Sequence, residues 1–241
     1  MRHYALLGGG RLARHMHHYL TLLGLPVSGW ARDPKSTLNT HPIDDALARL
    51  RATIEPASHV LLLVPDAAIL DVIRRYPFLQ EKSLVHCAGA LSFPGIAGAH
   101  PLMTFSNDLY ELDRYRQMPF IVESGHRFGE ILPGLPNPHF EIAPEHKARY
   151  HALCVMAGNF SQILWQAVVT RFGSIGLPAG TLDPYLRQVT DNFIAARGSA
   201  LTGPLSRGDK ATIEHNLGAL AGDQLQGLYR AFLEFHTKAA A

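Results

Sequence analysis

Over the first part of the chain, short continuous apolar runs alternate with stretches of helical periodicity. Residues 3–7 predict a buried strand, broken by Gly8, Gly9 and Gly10. Leu12, Met16, Leu20 and Leu23 then recur at helical spacing over 11–23, and Gly24 and Pro26 stop that helix. Residues 27–30 predict a second strand ending at Ala31 and Arg32, and a weak helix covers 43–51. Residues 59–64 form the clearest buried strand, closed by Pro65 and Asp66 and followed by a helix over 67–76. Residues 83–87 predict a fourth strand, leading into Ala88, Gly89 and Ala90. Continuous apolar strands alternating with helices call for a parallel sheet covered on both faces. The pattern then loosens. Residues 100–105 read as a loop or short strand, and 120–123 and 139–142 as further strands.

From Pro144 the character changes. Residues 145–172 contain no proline, and their only glycine is Gly158, which predicts one helix far longer than the usual globular length. Its apolar positions (Leu153, Val155, Met156, Phe160, Ile163, Leu164, Trp165) are dense on all sides, as in a helix buried at the centre of a bundle. Further helices are predicted over 181–197, 209–221 and 223–238. A boundary near 143 divides the chain into 1–143 and 144–241. The expected fold class is α/β, an N-terminal Rossmann-like doubly wound sheet plus an all-α C-terminal domain. Low complexity is confined to the alanines at 239–241.

Gly8, Gly10 and Ala13 fit the pattern GxGxxA between a strand and a helix. Gly8 permits the tight turn. Gly10 lets a pyrophosphate approach the backbone, and Ala13 lets the helix pack closely on the strand. Arg11 and Leu12 open the helix, whose free N–H groups and positive dipole end attract phosphate. An acidic residue at the tip of the second strand would grip a ribose 2′-hydroxyl. Arg32 stands there instead, with Asp33 one position late. A guanidinium suits a 2′-phosphate by charge and by bidentate bonding, so NADP(H) is expected rather than NAD(H). Arg32 can also stack on the adenine. Val64, Pro65 and Asp66 are placed under the adenosine side. Gly89 and Ala90 give the nicotinamide room, and His86 either touches substrate or cofactor or caps the sheet.

Protonating a reduced product needs an acid or a hydrogen-bond donor. The long helix offers Lys147, Tyr150, His151 and Asn159. Lys147 and His151, four apart, share a face, and Asn159 lies two turns further near that face. Asn159 serves either a substrate or a neighbouring helix. His100, beside Pro101, is placed in the same cleft between the domains. In the loop at 201–209, Thr202, Arg207 and Asp209 are candidates for substrate binding, with Arg207 anchoring an anionic group. Asp209 equally suits the N-cap of the next helix.

Bulk properties narrow the picture. The 241 residues are 47% hydrophobic and 17% charged, enough for a proper core. The net charge of +2 shows no concentrated Lys and Arg footprint for nucleic acid. No uninterrupted apolar run approaches the roughly 20 residues that span a bilayer. The five-residue N-terminal apolar strand is too short for the core of a signal peptide. Cys87 and Cys154 lie in apolar surroundings, as expected of free thiols in the cytoplasm. Among the 14 histidines, His15 and His18 could share a divalent ion, but no zincin spacing or CxxC occurs and no metal is expected.

Taken together, Gly8 to Ala13, Val64-Pro65-Asp66, Val85 to Gly89, His100 to Phe105, Tyr150-His151-Ala152, Gly158-Asn159-Phe160 and Thr202 to Asp209 resemble the bacterial proteins that join a Rossmann-like domain to a DUF2520 domain. Such proteins are usually named as oxidoreductases dependent on NADP or F420. The resemblance covers nearly the whole chain. It implies a helical domain of the 6-phosphogluconate dehydrogenase-like type, related also to β-hydroxyacid dehydrogenases and pyrroline-5-carboxylate reductase, and a homodimer formed through the helices. The β-hydroxyacid dehydrogenases place a catalytic Lys and Asn four residues apart on the long helix. Here His151 stands four after Lys147, so that chemistry does not carry over. The expectation is reduction of a small carbonyl or imine compound by NADPH. The alternatives are a non-catalytic dinucleotide sensor or partner-binding dimer, and an F420-linked NADP oxidoreductase.

Overall fold

The computed structural model describes residues 2–239, so most of the alanine run at 239–241 lies outside the described residues. The chain forms two compact units, Met1–Gly158 and Asn159–Ala241.

The first unit is built on seven strands: β1 Tyr4–Leu7, β2 Val27–Trp30, β3 His59–Leu62, β4 Ser83–His86, β5 Ala97–Pro101, β6 Phe120–Glu123 and β7 His139–Ile142. They lie in the order β2-β1-β3-β4-β5-β6-β7. β1 to β5 are parallel, β6 is antiparallel to β5, and β7 runs parallel to β6. The helices are α1 Arg11–Leu22, α2 Ala46–Ile54, α3 Ile69–Arg75, α4 Leu112–Arg116, α5 Phe128–Ile131 and α6 Lys147–Val155.

Alternation along β1 shows why both faces must be covered. Tyr4 and Leu6 join one buried cluster with Met16, Tyr19 and Leu20 of α1. Ala5 and Leu7 join another with Leu50 and Ile54 of α2 and Ile69 and Ile73 of α3. Helices therefore cover opposite faces, and the sheet is doubly wound. Each fully buried large apolar side chain contributes about 1.5–3 kcal/mol.

Three expectations need correction. The fifth strand is Ala97–Pro101, ahead of the stretch at 102–105. Its Ala-Gly-Ala core carries little apolar signal. His15 is not a solvated helix residue. It is buried, with Nδ1 2.8 Å from the Tyr115 hydroxyl and Nε2 3.0 Å from the Ser106 carbonyl oxygen. Both ring nitrogens are engaged, so it has no lone pair for a metal shared with His18. No cluster of three or more metal-ligating side chains occurs among the described residues.

The third correction concerns the long helix. It runs from 144 to 174 as a 3-10 turn, α6, a π-helical turn at Met156–Phe160 and α7 Ser161–Ser174. Its apolar side chains are exposed in the single chain: Phe160 by 56% and Ile163 by 65%. An 18-residue window reaches a mean hydropathy of 1.4, so by length and composition this helix is apolar enough to cross a membrane. Counting uninterrupted apolar runs missed it, because Gln and Ser interrupt the window.

The second unit holds α7, α8 Asp183–Ala196, α9 Pro204–Arg207, α10 Lys210–Ala219 and α11 Gln224–Ala239. Arg171 on α7 clamps Asp223 with two hydrogen bonds of 3.0 Å. Leu182 is its one buried apolar side chain among the described residues.

Candidate functional site

A cavity of about 710 Å³ opens at the carboxyl ends of β1 to β4. That is the usual position for a ligand on an open α/β sheet, and the volume is that of a small-molecule site. β1 delivers Gly8 to its floor. Gly8 has φ +148°, and a Cβ there would lie 2.2 Å from the Leu63 carbonyl oxygen, so only glycine fits. Gly10 differs, since a Cβ added to it meets nothing within 4 Å. Its bareness serves no internal packing and leaves open space before the first turn of α1. Gly10 caps α1 without a side-chain bond, and the helix therefore offers unpaired N–H groups to that space. Ala13 is fully buried beneath. Leu12, Val64, Pro65 and Asp66 line the cavity as the sequence suggests. Arg11 also lines it, and its guanidinium donates to the Phe105 carbonyl oxygen at 3.3 Å.

Arg32 is exposed and lines the cavity where β2 ends. It also borders a second, open pocket of about 660 Å³ that gathers Arg14, Arg32, Lys35, Ser36 and Thr37. Sequence reasoning found Arg32 but missed the other four. The loop after β2 has turn composition and no periodicity, so nothing in the sequence aims its side chains. Asn39 shapes it, accepting from the Ala31 N–H at 2.8 Å and donating to the Asp33 carbonyl oxygen at 2.8 Å. The Asp33 carboxylate accepts the Lys35 N–H at 2.9 Å. The result is three cations and two hydroxyls, set against the single carboxylate of Asp33, around a space that fits a phosphate monoester.

At the other end of the cavity lie Cys87 and Ala88, just past β4. Burial pushes the Cys87 thiol up to about 12, so it stays protonated. His86 is fully buried on the adjoining stretch of β4 and is not part of the cavity wall. Its Nε2 lies 3.2 Å from Glu123 Oε1, off the line of a hydrogen bond. Lys147 of α6 donates to the same carboxylate oxygen. His86, Glu123 and Lys147 thus form a buried polar row across β4, β5 and β6, made possible by Gly98 between them. A Cβ at Gly98 would lie 2.0 Å from Glu123 Oε1. Burial holds the His86 imidazole down at about 4, helped by the Lys147 charge and opposed by Glu123.

Gly89 is buried and ties this row to the cavity. A Cβ there would lie 2.3 Å from His151 Cδ2 and 3.1 Å from the His100 ring. His151 and His100 therefore sit directly over the chain that continues the cavity wall. Tyr150 joins them, its hydroxyl 2.7 Å from His100 Nδ1. His100 meets His151 edge-on at 5.9 Å between ring centres. Burial holds the His100 imidazole down at about 4, aided by His151 and Lys147. Ala90 is half-buried and lies outside the cavity lining.

The structure thus brings His100 and His151 together beside Gly89, with Tyr150 bonded to the Nδ1 side of His100. Lys147 is instead sealed in its ion pair, 1% exposed, with no free surface for a substrate. Sequence reasoning missed Glu123, because an acidic residue ending a strand reads as a solvated tip. In the second unit, Asn159 is exposed in the π-helical turn, and Thr202 and Arg207 are exposed. Asp209 caps α10, accepting from the Thr212 N–H at 3.1 Å and the Thr212 hydroxyl at 2.7 Å. Those bonds hold its carboxyl below the usual range.

Comparison with known proteins agrees with this architecture. The family described as a domain of unknown function, DUF2520, matches residues 124–234. No curated protein sequence matches this chain. Among solved structures, a Bacteroides fragilis protein provisionally described as an NADP oxidoreductase shares 19% identity and a TM-score of 0.75, over 98% of both chains. A Thermotoga maritima protein shares 25% identity and a TM-score of 0.72, again over 98% of both. An imine reductase of Myxococcus stipitatus in complex with NADP+ shares 14% identity and a TM-score of 0.63, over 99% of this chain and 94% of that one. The chain therefore shares the fold of these proteins over nearly its whole length.

Proposed function

We propose that this chain is an NADP(H)-dependent oxidoreductase that reduces a small carbonyl or imine compound. The observation that carries this reading is the continuity of the crevice. Bare Gly10 and the start of α1 lie in its wall, the cationic pocket at Arg32 borders one end, and Gly89 with His100, Tyr150 and His151 follows the other. The imine reductase of similar fold was solved with NADP+, which agrees with the cofactor assigned here. Gly8, Gly10 and the α1 N–H groups would hold the pyrophosphate. Arg32, with Arg14, Lys35, Ser36 and Thr37, would hold the 2′-phosphate. When bound, NADPH supplies a hydride. The residues above Gly89 face the reacting end and exclude water from it.

A homodimer completes this reading, because Phe160, Ile163, Phe193 and Ile194 expose apolar surface that water disfavours. The two free cysteines suit the cytoplasm.

Titration with NADPH and NADH by fluorescence tests the cofactor. Arg32→Ala should weaken NADPH binding about 10- to 100-fold, as loss of a charged hydrogen bond does, with NADH binding nearly unchanged. An unchanged preference removes Arg32 from the 2′-phosphate site. NADPH oxidation on a panel of keto acids and cyclic imines tests the reaction. Binding without turnover leaves a dinucleotide sensor.

A further inference from the structure

The reductase reading needs a proton for the reduced product, and three side chains stand near the place where it is needed. His151 lies over Gly89 with an edge contact to His100. Tyr150 has a fixed hydroxyl, held 2.7 Å from His100 Nδ1 and also bonded to Cys154 one turn along α6. The backbone places this pair firmly. Lys147, three residues before Tyr150, pins the first turn of α6 to Glu123 on β6. His100 sits on β5 two residues beyond Gly98, on the same side of the strand.

We propose that Tyr150 is the proton donor to the substrate and that His100 orients and reprotonates it. The proposal rests on the reductase reading. With its own proton on Nδ1, His100 donates to the Tyr150 oxygen, and the phenolic O–H, bonded to Cys154 at rest, is the one the substrate takes over. The hydride brings the electron pair, so no second reductant is required. The Tyr150 O–H bond breaks, and an N–H bond forms on a reduced imine, or an O–H bond on a reduced carbonyl. The phenolate then takes the Nδ1 proton of His100, while Nε2 gains one from solvent. A second solvent exchange restores the Nδ1 tautomer. Burial suits both partners to this task. It keeps His100 neutral at physiological pH, so the ring has one proton to give and one nitrogen to receive. It raises the Tyr150 hydroxyl, so the donor is fully protonated between turnovers.

Two measurements test the pair. The first needs no turnover. Nitrogen-15 NMR of the wild-type chain, with His100 assigned by its loss in His100→Gln, should show the Nδ1–H tautomer. In Tyr150→Phe the His100 signals should shift, while NADPH affinity stays within about twofold. An Nε2–H tautomer would mean that Tyr150 donates to His100, and the proposal falls. The second is steady-state kinetics on whichever panel compound is reduced. Tyr150→Phe should lower kcat about 100-fold or more, the scale of a lost general acid, with KM little changed. A Tyr150→Phe variant within threefold of wild type overturns the assignment and leaves the reductase reading standing. A wild-type chain that binds NADPH and reduces nothing overturns both.

Discussion

The two units contain similarly apolar helices yet use them in opposite ways. In the sheet unit, α1 buries Ala13, Met16, Tyr19 and Leu20, and two clusters seal both faces of the strands. In the helical unit, α7, α8 and α10 bury none of their residues, and Phe193 and Ile194 stand more than half exposed. The lesson is that apolar periodicity reports a need for cover and not its source. A parallel sheet obtains its cover from the crossover helices of the same chain. A layer of helices with apolar residues on several sides needs cover that its own helices do not supply.

The contrast can be broken by experiment. The largest effect is expected at Lys147→Met, which leaves the Glu123 carboxylate buried and unpaired. The unfolding free energy should fall by about 3–5 kcal/mol in urea denaturation, and adding Glu123→Leu should restore much of it. A loss below about 1 kcal/mol would mean that the polar row is not part of the rigid frame. Next comes acid. His86 and His100 are held near 4 when folded and titrate near 6.5 when unfolded, so the unfolded chain binds more protons between those values. Stability is complete above pH 6.5 and declines as pH falls towards 4, by at most about 3 kcal/mol for each histidine. Urea midpoints across that range check this, and a flat profile would show that both rings are protonated in the fold. A smaller effect is expected in the helical unit. Asp209→Ala removes the cap of α10 and should lower the urea midpoint slightly in the same assay. The smallest stability effect belongs to Ile163→Ser. At low concentration it should stay within about 0.5 kcal/mol of wild type, as surface changes do, while the sedimenting mass at high concentration halves. A large loss in the dilute chain would show that Ile163 is core after all.

Much of the sheet was legible. β2, β6 and β7 were bounded to the residue, because turn-forming residues flank short apolar runs. The start of α1 followed from the glycines. β5 was misplaced because Ala97, Gly98 and Ala99 are small, and their smallness reflects neighbours that a local pattern cannot reveal. Arg32 was legible as a departure from an expected acid. Arg14 was not, since an exposed arginine on a helix has no distinguishing spacing. Lys147 was singled out as a catalytic candidate, and its sealed ion pair was not foreseen. Burial of a lysine depends on a carboxylate 24 residues earlier in the chain, and no periodicity encodes that partner.

Gly98 has a consequence for how this chain can change over generations. The strand position beside it leaves no room for a side chain while Glu123 is present. A single substitution at 98 is blocked until 123 shrinks, and a shrunken 123 strands the ammonium of Lys147. The three positions can therefore drift only as a set, in a fixed sequence of steps. A homologue with a bulky residue at 98 should have abandoned both charges.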